Sequence, residues 1–577
     1  MPRVIWTTAA LVAAVVVSIG LALPPARLSP AAGSGDRAVA GVVHVHTNRS
    51  DGRGTPDEVA AAAARAGLSF VIFTDHGDGT REPEPPTYRS RVLCLDAVEI
   101  STVHGHLLAF GIPQAPYPLG GEARDVLDDV HRLGGVGFAA HPDSPKPDLQ
   151  WRGWSDTLDG VEIVNLDTGW RAAASAPGWR PKMRLLKALA TYPVRPSPTI
   201  ATLIAGHADL LGQWDTLAAV RRVPMLAGVD AHARLALRET HDRDNRFALS
   251  LPGYEAVFRT LTMRVQTETP LTGDADTDAA SVLAAIGRGR AYASVDAILG
   301  PAAFEFTASG GGVVLQMGDE GDIDGPVTLT VRTNAPASFT TMVRRNGVVI
   351  ASQPSAKEFT LTADAGAAVY RAEIRATDRP GSPLWVLGNP IYVRTPRAAE
   401  APASASTNAR PRAGSGSALV LFGSRTSAEW HTEVSAASKA AINIVNTPTS
   451  REMLVRYGLP GSDAKGEFAA AVADTTGAMR GRTWIRFTIR SAQPMRVSVQ
   501  VRVPASDTGE RWQRSIYVDQ TERTYTLALD DFRLPLGQTS PSGVDGDAVH
   551  GVIFAVDRVN TAPGASGRFW LRDVTVE

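Results

Sequence analysis

The chain of 577 residues has almost no cysteine and no excess of charge of either sign. Its single cysteine, Cys94, excludes an intrachain disulfide, a cysteine-based zinc site and a cysteine-ligated cluster. The 58 basic and 59 acidic side chains give a net charge of −1. That balance argues against a dedicated nucleic-acid binder, because such proteins usually carry a clear basic excess. Any metal bound by this chain must therefore be held by histidines and carboxylates.

Charge is also missing from one long stretch near the N-terminus. Val4 to Leu23 is a run of twenty residues without a charged side chain, and Pro24-Pro25 then ends any helix. Twenty helical residues span about 30 Å, the thickness of a hydrocarbon core. The run predicts export, with residues 1–23 as an uncleaved membrane anchor in preference to a cleaved signal, and residues 24–39 as a tether. The alternative is a buried core helix. The location of the run near the N-terminus and its uniformly apolar composition disfavour this alternative.

The pattern of residues changes along the rest of the chain. From 40 to 300, short apolar runs alternate with helical patterns, which predicts an α/β domain with a largely parallel sheet. From 301 to 395 the alternation has period two and predicts an immunoglobulin-like β-sandwich. Residues 396–417 have the composition of a flexible linker. Residues 418–577 return to short strands, which predicts a second β-sandwich or jelly roll.

One helix of the first domain has clear boundary signals. Thr55 suits an N-cap, Pro56 suits the first helical position and Glu58 completes a capping box. Gly67 suits the C-terminal cap. The sequence therefore predicts a helix between Thr55 and Gly67.

Histidine is concentrated in the α/β domain: ten of the twelve histidines lie between residues 44 and 241. Several of them, with two carboxylates, stand at the starts or ends of predicted strands. In parallel α/β sheets and barrels, the carboxyl ends of the strands form the face where sites are built. These residues are His44, His46, His76, Glu99, His104, His106, His141, Asp230 and His232.

The spacing within this set suits metal binding. His44 and His46, like Asp230 and His232, are alternate residues of a strand, so their side chains point the same way and can share one ion. A carboxylate such as Glu99 can bridge two cations. Five or more such groups would repel each other and lose solvation at high cost without a compensating cation. Nitrogen and oxygen ligands without thiolate favour Zn, Mn or Fe(II). The number of groups that converge predicts a multinuclear site.

The order of these motifs resembles that of the PHP family, the metal-dependent phosphoesterases related to polymerase-associated and histidinol phosphatase domains. The resemblance is carried by motifs that follow one another in the family's order. They are His44 to Gly52, Phe73-Thr74-Asp75-His76, Glu99, Gly105 to Gly111, His141-Pro142 and Gly228 to His232.

The resemblance implies a distorted (β/α)7 barrel with up to three metal ions at its C-terminal rim. It also implies three sets of ligands. These are His44, His46, Glu99 and Asp230 for one metal, Glu99, His106 and His141 for a second, and Asp51, His76 and His232 for a third.

His104 competes with His106 for one position of this pattern. The run Gly105 to Leu108 matches the family better when His106 is the ligand. His104 is then a candidate substrate contact.

The expected activity follows from the ligands. Metal coordination lowers the pKa of bound water from 15.7 to about 7, so a metal-bound hydroxide at a di- or trinuclear site would attack a small phosphate ester. The sequence contains neither a GxSxG elbow nor a cysteine dyad. The prediction is an exported metal-dependent phosphoesterase. A carboxylic-ester or carbamate hydrolase of the carbaryl-hydrolase type is the alternative on the same site.

The C-terminal domain supports an alternative hypothesis, in which the protein is not an enzyme. Its segments Arg511 to Ser515 and Pro563 to Gly567 resemble carbohydrate-binding jelly rolls. Exposed Trp or Tyr would stack on sugar rings, whereas aromatic residues packed in the core of a sandwich would not. In this hypothesis the protein binds an envelope glycan and the barrel is only a scaffold.

Overall fold

The computed structural model describes the chain in eleven stretches. They are residues 20, 23–29, 38–204, 208–234, 250–394, 418–424, 428–446, 450–462, 466–503, 510–534 and 543–577. The predicted linker 396–417 and almost all of the predicted anchor or signal segment 1–23 lie outside them. None of the helices in these stretches combines the length and the hydropathy that a bilayer crossing requires.

The α-helices of the described residues all precede residue 300. They are α1 (Pro56–Ala66), α2 (Ala123–Arg132), α3 (Leu166–Ser175), α4 (Trp179–Thr191), α5 (Pro196–Ala201), α6 (Ala208–Val220), α7 (Tyr254–Phe258) and α8 (Ala275–Arg288).

The strands run through the whole chain. Those before residue 300 are β1 (Val39–Val45), β2 (Phe70–Phe73), β3 (Thr87–Arg89), β4 (Val92–Asp96), β5 (Val98–Thr102), β6 (Gly105–Phe110), β7 (Val136–Ala139), β8 (Gly160–Asn165), β9 (Met225–Ala231), β10 (Thr262–Val265) and β11 (Ala291–Ser294). Those up to residue 394 are β12 (Phe304–Gly310), β13 (Val313–Gln316), β14 (Glu320–Gly321), β15 (Val327–Thr333), β16 (Thr340–Arg345), β17 (Val348–Pro354), β18 (Glu358–Ala363), β19 (Ala368–Arg375), β20 (Leu384–Gly388) and β21 (Ile391–Val393). The last group is β22 (Leu419–Phe422), β23 (Trp430–Val434), β24 (Lys439–Asn446), β25 (Arg451–Gly458), β26 (Phe468–Asp474), β27 (Trp484–Ser491), β28 (Met495–Val503), β29 (Glu510–Val518), β30 (Arg523–Ala528), β31 (Gly551–Asp557) and β32 (Ser566–Val576).

Helix α1 has the predicted boundaries. The Thr55 hydroxyl accepts a hydrogen bond from the backbone of Glu58, whose side chain accepts one from the backbone of Thr55 in return. Gly67 closes the helix in the left-handed conformation, at φ 79°. The capping box predicted from the sequence is thus confirmed, because it depends only on residues close together in the chain.

Seven of the strands before residue 300, β1, β2 and β5 to β9, pair into a closed ring. Strands β1, β2 and β4 pair in parallel, as do β7, β8, β9 and β1. Strand β6 is antiparallel to both of its neighbours, β5 and β7. Backbone hydrogen bonds from Glu99 N to Asp75 O and from Gly77 N to Glu99 O join the end of β2 to β5.

The antiparallel strand β6 departs from the expected, largely parallel order. Only Val103 and His104 separate β5 from β6, and Gly105 opens β6 at φ 116°. A parallel connection needs a crossover of a dozen or more residues, whereas an antiparallel pair can be joined by a two-residue turn. The short connection therefore reverses the chain at this point.

The predicted boundary between residues 300 and 301 is crossed by a sheet and by a core. Strand β20 pairs with β11 in the register Tyr292↔Gly388, which joins the second segment to the first. One cluster of buried hydrophobic residues runs from Val42 to Val393. The amide of Asn389 adds bonds to the backbone of Met225 and Ala291. Pairing with β20 also protects the edge of β11, which would otherwise expose unpaired backbone groups.

The segment from 301 to 394 is itself built from two sheets. One is a four-stranded antiparallel sheet in the order β13, β12, β15, β18. The other contains β16, β17, β19, β20 and β21 and is the sheet that continues into β11. The alternation that predicted a sandwich is present, but one layer belongs to a sheet shared with the first segment.

The C-terminal segment forms a separate β-sandwich, as predicted. One sheet has the order β24, β25, β32, β27, β30, with β22 beside β32, and the other has the order β23, β26, β31, β28, β29. The two sheets enclose their own hydrophobic core, which includes Trp512, Phe554 and Phe569. The protein is therefore multidomain and rich in β-sheet.

The sandwich is docked on helix α2 through buried ion pairs. The Arg496 guanidinium lies 2.6 Å from Asp129 Oδ1 and 3.4 Å from Asp125 Oδ1. Arg514 reaches the same Asp125 oxygen at 2.6 Å. The Arg132 guanidinium lies 3.4 Å from the ring centre of Tyr517. Charged and aromatic contacts thus join the two domains.

Part of the predicted tether is packed against the folded chain. Leu28 forms a β-bridge with Leu299. The carbonyl oxygens of Pro24 and Ala26 accept hydrogen bonds from Arg195 and Arg379, respectively. Residues 24–29 are therefore held in position beside the strand-rich body, and residues 30–37 lie outside the described stretches.

Candidate metal centre

Nine side chains predicted as ligands converge at one edge of the ring of strands. Glu99 lies at their centre: its Oε1 is 2.6 Å from His106 and 2.9 Å from His141. Its Oε2 is 3.2 Å from His44 and 3.1 Å from His46. The full set is His44, His46, Asp51, His76, Glu99, His106, His141, Asp230 and His232. Residues separated by nearly two hundred positions in the sequence thus share one site.

Four overlapping groups within this set have ligand atoms close enough to share an ion. In each group the ligand atoms lie within 4.8 Å of one another. The groups are His46 with Asp51, His76 and His232; His44 with Glu99 and His141; His44 with His46 and Asp230; and His76 with Glu99 and His106. The third set implied by the family resemblance reappears with His46 added. Because the groups share members, they describe one cluster.

The backbone is strained at three of these residues. His44, His141 and Asp230 have φ values of 64°, 27° and 46°, in the region that residues with a Cβ rarely adopt. The pairing register of β1 with both neighbours also shifts next to His44, which marks a bulge. Such conformations persist only where the surrounding structure enforces them, and they concentrate at functional sites.

The charges of the cluster depend strongly on one another. Burial opposes protonation of His46, but the carboxylates of Asp230 and Glu99 outweigh it and raise the pKa of His46 to about 10. Burial opposes ionisation of Glu99, but the charges of His44, His76 and His106 outweigh it and hold its pKa well below the usual range. The carboxylates therefore require positive charge on the surrounding imidazoles, or on an ion that replaces those protons.

The donor set fits divalent metal ions. His46 Nε2 is buried and has no hydrogen-bond partner, although two carboxylates lie close to it. Imidazole and carboxylate groups without thiolate suit Zn, Mn or Fe(II). Metal binding releases protons from ligands, so a cation can take over the role that protons have in the metal-free cluster. The buried cluster can thus hold metal.

The cluster is open to solvent on one side. The side chain of Asp51 is 44% exposed and that of His76 is 36% exposed, whereas Glu99 is fully buried. A cavity of about 120 Å³ begins at His76 and is lined by Arg49 and Arg81 among others. Both arginines contact Asp96, and Arg49 also pairs with Glu84. A small polar substrate can approach the cluster from this side.

Glu162 supports the cluster and is absent from the predicted set. Its Oε1 lies 2.8 Å from His44 Nδ1, and its Oε2 accepts a hydrogen bond from Asn165 and from the backbone of His141. A carboxylate behind a ligating histidine fixes the orientation of the ring and its protonated nitrogen. The sequence signal was a glutamate within the buried strand β8, which the prediction did not use.

Asp75 supports the loop that presents Asp51. Its Oδ1 accepts hydrogen bonds from Thr47 N at 2.7 Å and from the Ser50 hydroxyl at 2.6 Å. Its Oδ2 accepts a third, from the Thr47 hydroxyl, at 2.7 Å. Asp75 thus orders residues 47–51, while the next residue, His76, joins the cluster.

His104 lies apart from the cluster. Its Nδ1 is 3.3 Å from Asp156 and its Nε2 is 3.5 Å from Glu122, so both ring nitrogens face carboxylates. The hydrogen bond with Asp156 raises the pKa of His104. None of the four groups of ligand atoms includes it. Its role as a substrate contact stays a prediction, and the geometry favours His106 over His104 as a cluster member.

Comparisons with known proteins do not identify the function of the cluster. No protein-family model matches the chain, and no curated protein matches it. Among solved structures, the chain is similar to a family 11 carbohydrate-binding module of a cellulosomal cellulase of Clostridium thermocellum. The match has 20% sequence identity and a TM-score of 0.22, and it covers 28% of this chain and 94% of the module. The chain is also similar to a family 30 carbohydrate-binding module of a cellulase of the same organism, with 9% identity, coverage of 28% and 96%, and a TM-score of 0.20.

Proposed function

We propose that this protein is a metal-dependent hydrolase that cleaves small phosphate esters, and that its ring of strands is the distorted (β/α)7 barrel of the PHP family. The observation that carries the proposal is the convergence of six histidines and three carboxylates on one open edge. These residues follow one another along the chain in the order of the PHP motifs. We also propose that the protein is exported, that residues 1–23 hold it at the membrane, and that its domains lie outside the cytoplasm.

Two or three divalent ions of Zn, Mn or Fe are proposed as cofactors. The nine residues of the cluster would hold them, and Glu99 would contribute to more than one ion, since its two oxygens face different histidines. Bound divalent ions supply Lewis acidity and lower the pKa of coordinated water toward neutrality.

The surrounding residues would orient the substrate. Arg49 and Arg81 line the cavity beside His76, and guanidinium groups suit bidentate recognition of phosphate oxygens. Their contacts with Asp96 and Glu84 hold them in place before substrate binds. Glu162 would keep His44 Nδ1 engaged, so that His44 Nε2 faces Glu99 and Asp230.

Cys94 does not suit the role of a nucleophile. Its thiol is buried, and burial raises its pKa to about 11, so it stays protonated near neutral pH. Hydrolysis without a covalent enzyme intermediate is therefore proposed, with the new oxygen on phosphorus coming from water.

The test uses the purified full-length chain, reconstituted with Zn, Mn or Fe(II). Phosphomonoesters, phosphodiesters, carboxylic esters and carbamates are supplied in parallel, and hydrolysis is repeated in ¹⁸O water. We expect phosphate-ester turnover that a chelator abolishes, with the label on phosphate in a single turnover. Turnover of carboxylic esters or carbamates without phosphatase activity would replace this proposal by the carbaryl-hydrolase-type alternative.

One observation supports a second candidate function, glycan binding by the C-terminal sandwich. Trp570 is half-buried on β32, and the guanidinium groups of Arg490 and Arg568 lie 4.1 and 5.4 Å from its ring centre. An aromatic ring flanked by cations suits stacking on a sugar bearing acidic groups. Trp512, by contrast, belongs to the core. Retardation in gels containing acidic polysaccharide should be lost in Trp570→Ala; if it is equal in both proteins, this candidate fails.

A further inference from the structure

Helix α4 exposes large apolar side chains along most of its length. Trp179, Met183, Leu186 and Leu189 are 70%, 51%, 58% and 55% exposed. Soluble proteins commonly expose single hydrophobic residues, whereas a row of them on one element marks an interaction surface.

The row faces away from the protein. Trp179, Met183 and Leu186 follow the spacing of one helical face. Ala188, which is buried against the body, lies nine residues after Trp179, about two and a half turns, and so on the opposite side. The apolar face is therefore directed into solvent rather than along the protein surface.

The same helix is strongly basic in a chain whose total charge is balanced. It contains Arg180, Lys182, Arg184 and Lys187 and no acidic residue. The basic segment extends further, since no Asp or Glu occurs between Asp167 and Asp209. This concentration of positive charge contrasts with the net charge of −1 for the whole chain.

The hydrogen bonds that these cations form within the described residues go to uncharged groups. Lys182 donates to the carbonyl of Ala174 and Arg184 donates to that of Thr202, which are uncharged partners. The Arg180 guanidinium lies 6.0 Å from the ring centre of Trp179. Within the described part of the chain, no ion pair joins any of the four helix cations to a carboxylate, so their charge is available to an anionic partner.

The N-terminal apolar run ends beside this helix. Arg195, four residues after the end of α4, donates a hydrogen bond to the carbonyl of Pro24. Pro24 directly follows Leu23, the last residue of the uncharged run. Val194, next to Arg195, is 58% exposed. Pro24, which follows the run, therefore lies at the same end of the molecule as α4.

We propose that α4 lies on the surface of an anionic lipid bilayer, with Trp179, Met183 and Leu186 inserted at the boundary between headgroups and acyl chains. A basic helix with an exposed apolar face and a tryptophan has the composition of interfacial helices. The two features act together, since the apolar face enters the lipid and the flanking cations contact anionic headgroups. Association of two copies through this face is disfavoured, because it would bring eight helix cations together.

The test measures the surroundings of the helix in the full-length chain on lipid vesicles. Leu186→Cys is labelled with an environment-sensitive fluorophore, and Val314→Cys, 70% exposed on β13, is the matched control. The unsubstituted chain corrects for any label on the buried Cys94. Vesicles contain phosphatidylcholine alone or with phosphatidylglycerol, and quencher groups are attached to the acyl chains.

We expect a blue shift and quenching at position 186 on the anionic vesicles, and neither effect at position 314. Arg180→Glu combined with Lys187→Glu should remove both effects while metal-dependent hydrolysis of a soluble ester is unchanged. Equal behaviour at 186 and 314 would overturn the proposal. A disulfide that joins two copies of the unlabelled Leu186→Cys variant through position 186, without lipid quenching of the labelled protein, would also overturn it and assign the face to a second copy. Lipid quenching at position 186 that the two charge reversals leave unchanged would assign the contact to attachment through residues 1–23 and overturn the proposal.

Discussion

The metal centre and the interface between the domains both bury carboxylates, but they balance the charge in different ways. At the interface, Asp125 and Asp129 contact the guanidinium of Arg496, and the neighbouring carboxylates raise the pKa of Arg496 despite its burial. At the metal centre, Glu99 and Asp230 are surrounded by imidazoles, whose positive charge depends on bound protons.

This difference separates a structural site from a functional one. A guanidinium stays charged at every pH a protein encounters, so its pairs with Asp125 and Asp129 are permanent. An imidazole can exchange its proton for a metal ion, so the charge around Glu99 can be supplied from outside the chain. We expect variants at the interface to change stability and variants at the cluster to change metal binding.

The largest effect is expected from Glu99→Gln. The variant removes the carboxylate that lies between His44, His46, His106 and His141, so metal content should fall sharply. Loss of the bound ions should remove several kcal/mol of transition-state stabilisation, or more than about 1,000-fold in activity. Elemental analysis and turnover measure the two quantities. Glu320→Gln, which removes a carboxylate paired with Arg394, is the control and should keep its metal. A metal-replete Glu99→Gln protein would contradict the role of Glu99.

A loss of about 3 kcal/mol is expected from Arg496→Met, because it removes a buried guanidinium that Asp129 and Asp125 share. Chemical unfolding measures the free energy, and limited proteolysis of the linker region reports undocking of the sandwich. Metal content should not change. Adding Asp129→Asn to the same protein should restore part of the stability, since it removes one of the two carboxylates that lost this partner. Unchanged unfolding would show that the interface is not formed in solution.

Glu162→Gln should weaken metal binding by about 10- to 100-fold, the range typical of groups that orient a ligating histidine. The substitution keeps the size of the side chain but removes the charge that faces His44 Nδ1. Competition with a chelator measures the affinity, and added metal should restore activity by mass action. If affinity is unchanged, the contribution of Glu162 is limited to packing within β8.

Alanine substitution of His106 and of His104 should give different results. His106→Ala should lower the metal content, with activity partly restored by excess metal. His104→Ala should retain its metal and lose less than about tenfold in activity, or 1.4 kcal/mol, because its ring nitrogens face Asp156 and Glu122 outside the cluster. Metal lost from the His104 variant and kept in the His106 variant would reverse the assignment.

The smallest effect concerns the pair His131–Asp159, an imidazole–carboxylate contact outside the metal centre. Its hydrogen bond of 2.7 Å raises the pKa of His131 in the folded protein. Its contribution to the free energy of unfolding is therefore complete below the unfolded pKa of about 6.5 and is lost as the pH rises through the raised value. We expect less than about 1 kcal/mol, measured as the difference between the wild-type protein and His131→Gln in unfolding at several pH values. A difference that grows with pH would contradict the assignment.

Much of the candidate site could be predicted from the sequence. All nine proposed ligands were predicted from residue type, spacing and a family resemblance, and they lie together in the structure. The capping box of α1 was also predicted, because its hydrogen bonds join residues three apart. Glu162 was missed, since a glutamate in a buried strand shows no motif until its partner His44 is known.

The sequence by itself determined which donors this protein has, where its strands and helices change pattern, and that its first residues form an apolar run. These properties depend on residue type and on neighbours close in the chain. Only the tertiary structure decided that β20 pairs with β11 across the predicted boundary, and that His44, His141 and Asp230 adopt left-handed conformations. It also decided that the apolar face of α4 points outward. Each of these depends on packing between distant residues, whose register and burial no local pattern records.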